Sequence, residues 1–204
     1  MLKKYLYATA ALAMTVTASN ASIVSYSTTV QEIAKPAHVG IASPANNEFI
    51  LAFNETQRFT LTSALMTNDG GTIAAGTKID SHMVLLNKTR DRTHTLDIAG
   101  DITFSGAILG LITLRNTLLA SDYLGGLTIY DDYKNRGLDE AKLDTVSFTD
   151  DKLTAHFFVN NPGDWIRVIS VAEVPVPAGA ALLPMGLAAL AGLRRRRKAA
   201  AKIA

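Results

Sequence analysis

Lys78-Ile79-Asp80-Ser81-His82-Met83-Val84-Leu85-Leu86 decides the fold class. Ile79, Ser81, Met83 and Leu85 fall on one side of an extended chain, and Asp80, His82 and Val84 on the other. This is the period of a strand, and it recurs outward. Glu48–Phe53 and Arg58–Leu65 read as two strands, the second alternating Phe59, Leu61, Ser63 and Leu65 with Thr60 and Thr62. Asn68-Asp69-Gly70-Gly71 supplies turn chemistry between apolar runs. Leu96–Ile98 and Ile102–Phe104 read as short strands about Gly100-Asp101, and Ile108–Leu114 as a central strand. Thr145–Phe148 and Leu153–Val159 form a hairpin across Thr149-Asp150-Asp151, and Trp165–Val171 is the last strand, with Trp165 in the core. With no helix-length amphipathic run between residues 48 and 173, the expected fold is an all-β, jelly-roll-like antiparallel β-sandwich.

The two ends are of another kind. Met1-Leu2-Lys3-Lys4, an apolar stretch from Tyr5 to Val16 and the small residues Ser19-Asn20-Ala21 make a secretory signal peptide over residues 1–21. Residues 22–47, rich in Ser, Thr, Ala and Pro, read as a flexible lead-in with one edge strand near Ile23–Val30. Residues 174–204 begin with Val174-Pro175-Val176-Pro177-Ala178. The chain stays uncharged to Leu193 and then meets Arg194, Arg195, Arg196, Arg197 and Lys198. An apolar helix of that length spans a bilayer hydrocarbon layer of about 30 Å. The basic block is then a membrane stop on the cytoplasmic side.

Removing both ends changes the charge. The whole chain carries 20 Lys and Arg against 18 Asp and Glu, a formal charge of +2. All the acidic residues lie in the body between residues 22 and 173, with only twelve of the basic ones, so the body is acidic. An acidic body argues against nucleic acid as a partner. The chain has no cysteine, which excludes disulfides, thiol catalysis, Cys-type zinc sites and thioether haem attachment.

The pentapeptide, the apolar segment and the terminal Arg cluster together resemble the VPLPA-CTERM sorting signal, a variant of the PEP-CTERM signals of Gram-negative bacteria. Val176 stands where that family has Leu. The resemblance implies recognition by an exosortase-type protease at the inner membrane, which removes the tail. The protein would then face the periplasm while anchored, and reach the cell surface or extracellular matrix after processing. Gly76-Thr77-Lys78-Ile79-Asp80-Ser81-His82 is similar to a segment seen in exported proteins with such tails, and Pro162-Gly163-Asp164-Trp165-Ile166-Arg167-Val168-Ile169 continues the likeness. That likeness implies an exported β domain and no activity.

The body offers few sites. Asp80, Ser81 and His82 have the residue types of a hydrolytic triad, but strand alternation sends Ser81 to the opposite face. His82 is therefore expected to be a structural hydrogen-bonding residue, and no catalytic residue is assigned. Asp131, Asp132, Asp139 and Glu140, in the charged loop running to Asp144, are metal candidates, with Ca²⁺ the ion an oxygen-rich loop would take. Asp122 with Asp80 is a second cross-strand pair to examine. Tyr123, Tyr130 and Tyr133 are candidate sugar-stacking residues. The leading expectation is a non-enzymatic structural or glycan-associated protein of the envelope or matrix, with exopolysaccharide as a partner. The alternatives are a secreted hydrolase using His82 and the Asp131–Asp144 loop, and a calcium-stabilised adhesive module.

Overall fold

Two main sheets share an apolar interior, and one of them is buried on both faces. The computed structural model describes residues 23–41, 43–89, 95–138, 143–159 and 163–172. The expected signal peptide (residues 1–21), the expected sorting motif Val174–Ala178, the expected membrane stop Arg194–Lys198 and the metal candidates Asp139 and Glu140 lie outside the described residues. No helix among the described residues is long and apolar enough to cross a membrane.

The four-stranded sheet runs in the order β1 (Ile23–Tyr26), β8 (Leu96–Phe104), β12 (Lys152–Val159), β11 (Thr145–Thr149), all antiparallel. The five-stranded sheet runs β2 (Val30–Glu32), β4 (Ile50–Thr60), β7 (Lys78–Leu86), β13 (Asp164–Val171), β9 (Ile108–Ile112). Its β2–β4 pair is parallel, so the sheets are mostly rather than wholly antiparallel. Ile102 and Phe104 of β8 and Leu153, Ala155, Phe157 and Val159 of β12 pack with Ile50, Val84, Leu86, Ile166 and Val168 of the five-stranded sheet. These are alternate residues of each strand, as burial of one face requires.

The opposite face of the five-stranded sheet is covered as well. Leu51, Phe53, Ile79, Met83, Leu85, Trp165 and Ile169 pack with Leu118 of the helix α1 (Arg115–Ala120) and Leu124 of the 3-10 turn Asp122–Gly125. Val39 of β3 (His38–Val39) joins them, with β3 pairing in parallel with β10 (Ile129–Tyr130). β7 and β13 are consequently buried along nearly their whole lengths. This cap is a third layer that a two-sheet expectation lacks.

Several sequence expectations hold. β7 spans Lys78–Leu86, and the hairpin β11–β12 turns at Asp150, a non-glycine residue at φ 52°. β5 (Leu65–Met66) and β6 (Thr72–Ile73) flank the Asn68–Gly71 turn, where Gly70 at φ 109° takes a conformation that side chains avoid.

Others are corrected. The edge strand expected near Ile23–Val30 is present as β1 at the edge of the four-stranded sheet, but the described residues that follow are part of the fold as well, supplying β2 to the other sheet and β3 to the cap. The two strands expected at 48–53 and 58–65 are one strand, β4, carried through bulges on either side of Thr56, with Arg58 at φ 54°. The break expected at Gly100 is instead a close approach within β8. A Cβ there would stand 2.6 Å from Val30 Cγ2, so glycine lets the sheets meet. β9 is an edge strand rather than a central one. Its outer side is closed by the β5–β6 turn, where Asn68 N–H donates to Leu111 O at 2.7 Å and Leu111 N–H to Asp69 O at 2.7 Å. The expected strand ends at Ile112, and Thr113, Leu114 and the Thr117 hydroxyl all donate to Asn68 Oδ1, which sets the start of α1.

Val30 tests whether the N-terminal segment belongs to the core. It is buried between the sheets, and Val30→Asp would place an unpaired carboxylate there. The expected loss is on the order of 3 kcal/mol or more in chemical denaturation. A dispensable lead-in would tolerate the change.

Candidate functional site

Among the described residues, a dense polar cluster lies between the five-stranded sheet and its cap. Trp165, Arg167 and Ile169 share the cap-facing side of β13, as do Ser81 and Met83 on β7 and Phe53 and Glu55 on β4. Arg167 is thus a cation set in an apolar strand, and Glu55 meets it two strands away. Both side chains are fully buried. Arg167 Nε donates to Glu55 Oε2 at 2.7 Å and Nη2 to Glu55 Oε1 at 2.8 Å, a two-pronged pairing. Nη1 donates to Ser121 Oγ at 2.6 Å and to Leu118 O at 3.1 Å, at the end of α1. Nη2 also donates to Asp122 Oδ1 at 3.3 Å. All five guanidinium N–H groups therefore have acceptors.

The cluster extends in both directions. Glu55 also accepts from Ser81 Oγ at 2.5 Å and from the Tyr130 hydroxyl. Asp122 takes both Nη groups of buried Arg136, with Nη1 at 2.7 Å. The Arg136 guanidinium lies 5.3 Å from the Tyr130 ring centre and 5.2 Å from that of Trp165, within cation–π range. Trp165 Nε1 donates to Asn87 Oδ1 at 2.8 Å, and Asn87 Nδ2 to Gly40 O at 3.0 Å. Two carboxylates and two guanidinium groups balance, so the cluster carries no net charge.

Its electrostatics follow from burial. Burial alone would push the Glu55 carboxyl up, but the Arg167 charge and hydrogen bonds, with those of Ser81 and Tyr130, outweigh it and hold Glu55 below the usual carboxylate range. Burial would likewise favour neutral Arg167, and Glu55 reverses this and raises it. Tyr130 is pushed up by burial and by the Glu55 charge, so its hydroxyl stays a donor.

The residues singled out in the sequence are spread over the molecule rather than gathered. His82 lies on the other face of β7, buried between the sheets. Its Nδ1 is 2.6 Å from Asn54 Oδ1, its Nε2 is 3.1 Å from Ser170 Oγ, and its ring centre is 4.5 Å from that of Phe104. Burial lowers its pKa to about 4, against a smaller upward pull from Glu55, so the ring is neutral. Asp80 shares that side and accepts from Arg58 N–H at 2.5 Å, while Ser81 faces the cap, as alternation requires. The three do not assemble into a relay. Asp122 belongs to the cap cluster and Asp80 to the opposite face of β7, so they form no joint site.

The acidic loop divides in the same way. Asp131 Oδ1 pairs with His38 Nε2 at 2.9 Å, Asp132 Oδ2 accepts from Arg115 Nη2 at 2.6 Å, and Asp144 Oδ1 accepts from Phe158 N–H at 2.6 Å. Among the described residues no group of three or more metal-type side chains converges. Tyr130 and Tyr133 pack edge-on against Trp165, and only Tyr123 of the three tyrosines is exposed. Glu55, Arg136 and Arg167 carry the cluster and were not singled out in the sequence. The signal available was a lone charge in an otherwise apolar strand, Trp165-Ile166-Arg167-Val168-Ile169, which requires a buried counter-charge.

Comparison with family models, with curated proteins and with solved structures finds no match to this chain.

Two outcomes follow from these contacts. Glu55→Gln leaves Arg167 buried against a neutral partner, and the expected cost is about 3–5 kcal/mol in urea denaturation. The double change Glu55→Leu with Arg167→Met should recover most of that loss. For His82 the folded-state pKa is depressed from 6.5 to about 4, so below pH 6.5 the unfolded chain takes up the proton and the folded one does not. Stability should fall as pH drops from about 6.5 to about 4, by about 3 kcal/mol in total, and His82→Gln should flatten that part of the profile.

Proposed function

We propose that this chain is an exported, exosortase-sorted protein of the cell envelope or extracellular matrix. Its jelly-roll-like β-sandwich has a non-catalytic structural or glycan-associated role. The observation that carries the non-catalytic part is the burial of Asp80, Ser81 and His82, each fully enclosed and engaged by a neighbour rather than by one another. A substrate has no approach to any of them without opening the sheets. The pairing of Asp131 with His38 and of Asp132 with Arg115 disfavours the hydrolase and calcium readings of the acidic loop. Asp131 is already engaged by an imidazole and Asp132 by a guanidinium group.

The address is supported by the sequence at both ends. The signal peptide exports the chain. The uncharged segment from Val174 to Leu193 holds it as a transmembrane helix in the inner membrane, and Arg194–Lys198 keeps the terminus inside. The exosortase-type protease acts near Val174-Pro175-Val176-Pro177-Ala178 and releases the body. Exopolysaccharide is the partner that location provides, and an acidic body does not favour nucleic acid.

Mass spectrometry of the exported protein tests the sorting step. The expected product begins at Ser22 and lacks Gly179–Ala204. In a strain without the protease the tail should persist. A C-terminus still at Ala204 in the strain that has the protease would contradict the proposal.

A further inference from the structure

The four-stranded sheet ends on one side at β11, and among the described residues no strand pairs with its outer side. The ladder next to it shows where its backbone groups point. Phe104 N–H donates to Asp151 O at 2.9 Å, so the odd-numbered residues of β12 bond to β8. The even-numbered ones turn to the β11 side, as Phe158 N–H does in donating to Asp144 Oδ1 at 2.6 Å. Thr145, Ser147 and Thr149 stand opposite His156, Thr154 and Lys152, so these three hold β11 in the ladder. In an antiparallel sheet the residues between them point the other way. The N–H and C=O groups of Val146 and Phe148 are therefore aimed at the open side.

Sheet edges are ordinarily blunted by charges, prolines, bulges or covering loops. β1, at the other edge of this sheet, has a bulge between Ile23 and Ser25, and β9 is closed by the β5–β6 turn. β11 has none of these devices. Its register with β12 is regular, and Thr145-Val146-Ser147-Phe148-Thr149 contains no charge and no proline. Val146 and Phe148 are half-buried against the core, while Thr145, Ser147 and Thr149 are exposed on the other face. A strand of the same alternation laid beside β11 would cover the apolar pair and continue the hydroxyl face.

The ends of β11 select the occupant. Asp144 precedes it, and Asp150 and Asp151 follow it. Among the described residues neither Asp150 nor Asp151 forms an ion pair, and the adjacent Lys152 is turned to Asp101, 2.8 Å away. A second copy of the chain fits poorly. Twofold pairing of Val146 with Phe148 of its partner sets Asp144 of each chain opposite Asp150 of the other, and like charges placed opposite one another work against pairing. The body as a whole is acidic, which works in the same direction. A strand with cations beyond each end meets carboxylates instead.

We infer that the open edge of β11 is a docking site for an extended segment of another polypeptide, one that alternates apolar and hydroxyl-bearing residues and carries Lys or Arg at both ends. The segment adds a fifth strand to the sheet through the backbone of Val146 and Phe148. This goes beyond the sorting proposal and holds whether or not the tail is removed.

The test uses the full-length chain in non-ionic detergent micelles. The probe is a synthetic peptide of five alternating Thr and Val residues with two Lys at each end, and its companion has two Asp at each end. The Lys-ended peptide should bind at least about tenfold more tightly, by a gap that narrows as salt is raised. It should slow amide exchange at Val146 and Phe148 more than at Thr145, Ser147 and Thr149, whose amides are already in the ladder. Residues paired across a sheet carry their side chains on the same face, so the Val amides of the peptide are the ones that meet β11. Methylating those amides should abolish binding, and methylating the Thr amides should not. Val146→Pro removes an edge donor and no ladder bond, so it should weaken binding in the same way. Equal affinity for the two peptides, equal effects of the two methylations, or unchanged exchange at Val146 and Phe148 overturns the inference. Protection of those two amides that grows with the concentration of the chain alone assigns the edge to a second copy and overturns it as well.

Discussion

The Glu55–Arg167 pair sets the terms for the rest of the fold. Two buried charges of opposite sign are tolerable only when nearly every lone pair and N–H is satisfied, because the desolvation cost otherwise exceeds the attraction. Here the satisfaction comes from many elements. β4 brings the carboxylate, β13 the guanidinium, β7 the Ser81 hydroxyl, β10 the Tyr130 hydroxyl, and the end of α1 a carbonyl and the Ser121 hydroxyl. Asp122 and Arg136 form a second pair that shares Arg167 and the Tyr130 ring. Removing any one element leaves a charge without its partners, so the cap is bound to the sheet by more than apolar contact.

That constraint explains why the five-stranded sheet is a middle layer. Its inner face meets the four-stranded sheet through aliphatic and aromatic side chains, and its outer face holds the ionic cluster among Phe53, Met83, Leu85 and Trp165. A sheet buried on both sides loses the alternation of buried and exposed residues, which is why β7 and β13 are buried almost throughout, their polar residues included. The same arrangement uses up the polar side chains of β7. Asp80, Ser81 and His82 are all interior, and each is committed to a neighbour.

Local pattern made some of this readable from the sequence. Period-two alternation located β7 and separated Ser81 from Asp80 and His82, and turn residues located the Asn68–Gly71 turn and the β11–β12 hairpin. What was not readable depends on distant pairing. The parallel partnership of β2 with β4 brings together residues about twenty apart along the chain, and nothing in Val30-Gln31-Glu32 announces it. Gly100 looked like a break because a close approach and a turn leave the same residue in the sequence. β4 looked like two strands because its bulges interrupt the alternation between Asn54 and Phe59. α1 has only six residues and continues an apolar run, so its start is set by Asn68, nearly fifty residues earlier. The ionic cluster was hidden for the same reason, since Glu55 and Arg167 are 112 residues apart.

Native-state hydrogen exchange tests the coupling of cap and sheet most directly. If the ionic cluster binds them into one unit, the amides of Leu118, Ser121, Leu124 and Asp131 should open with the same free energy as those at the centres of β7 and β13, and with the same denaturant dependence. A cap that exchanges through its own low-energy opening, while β7 and β13 stay protected, would contradict this account.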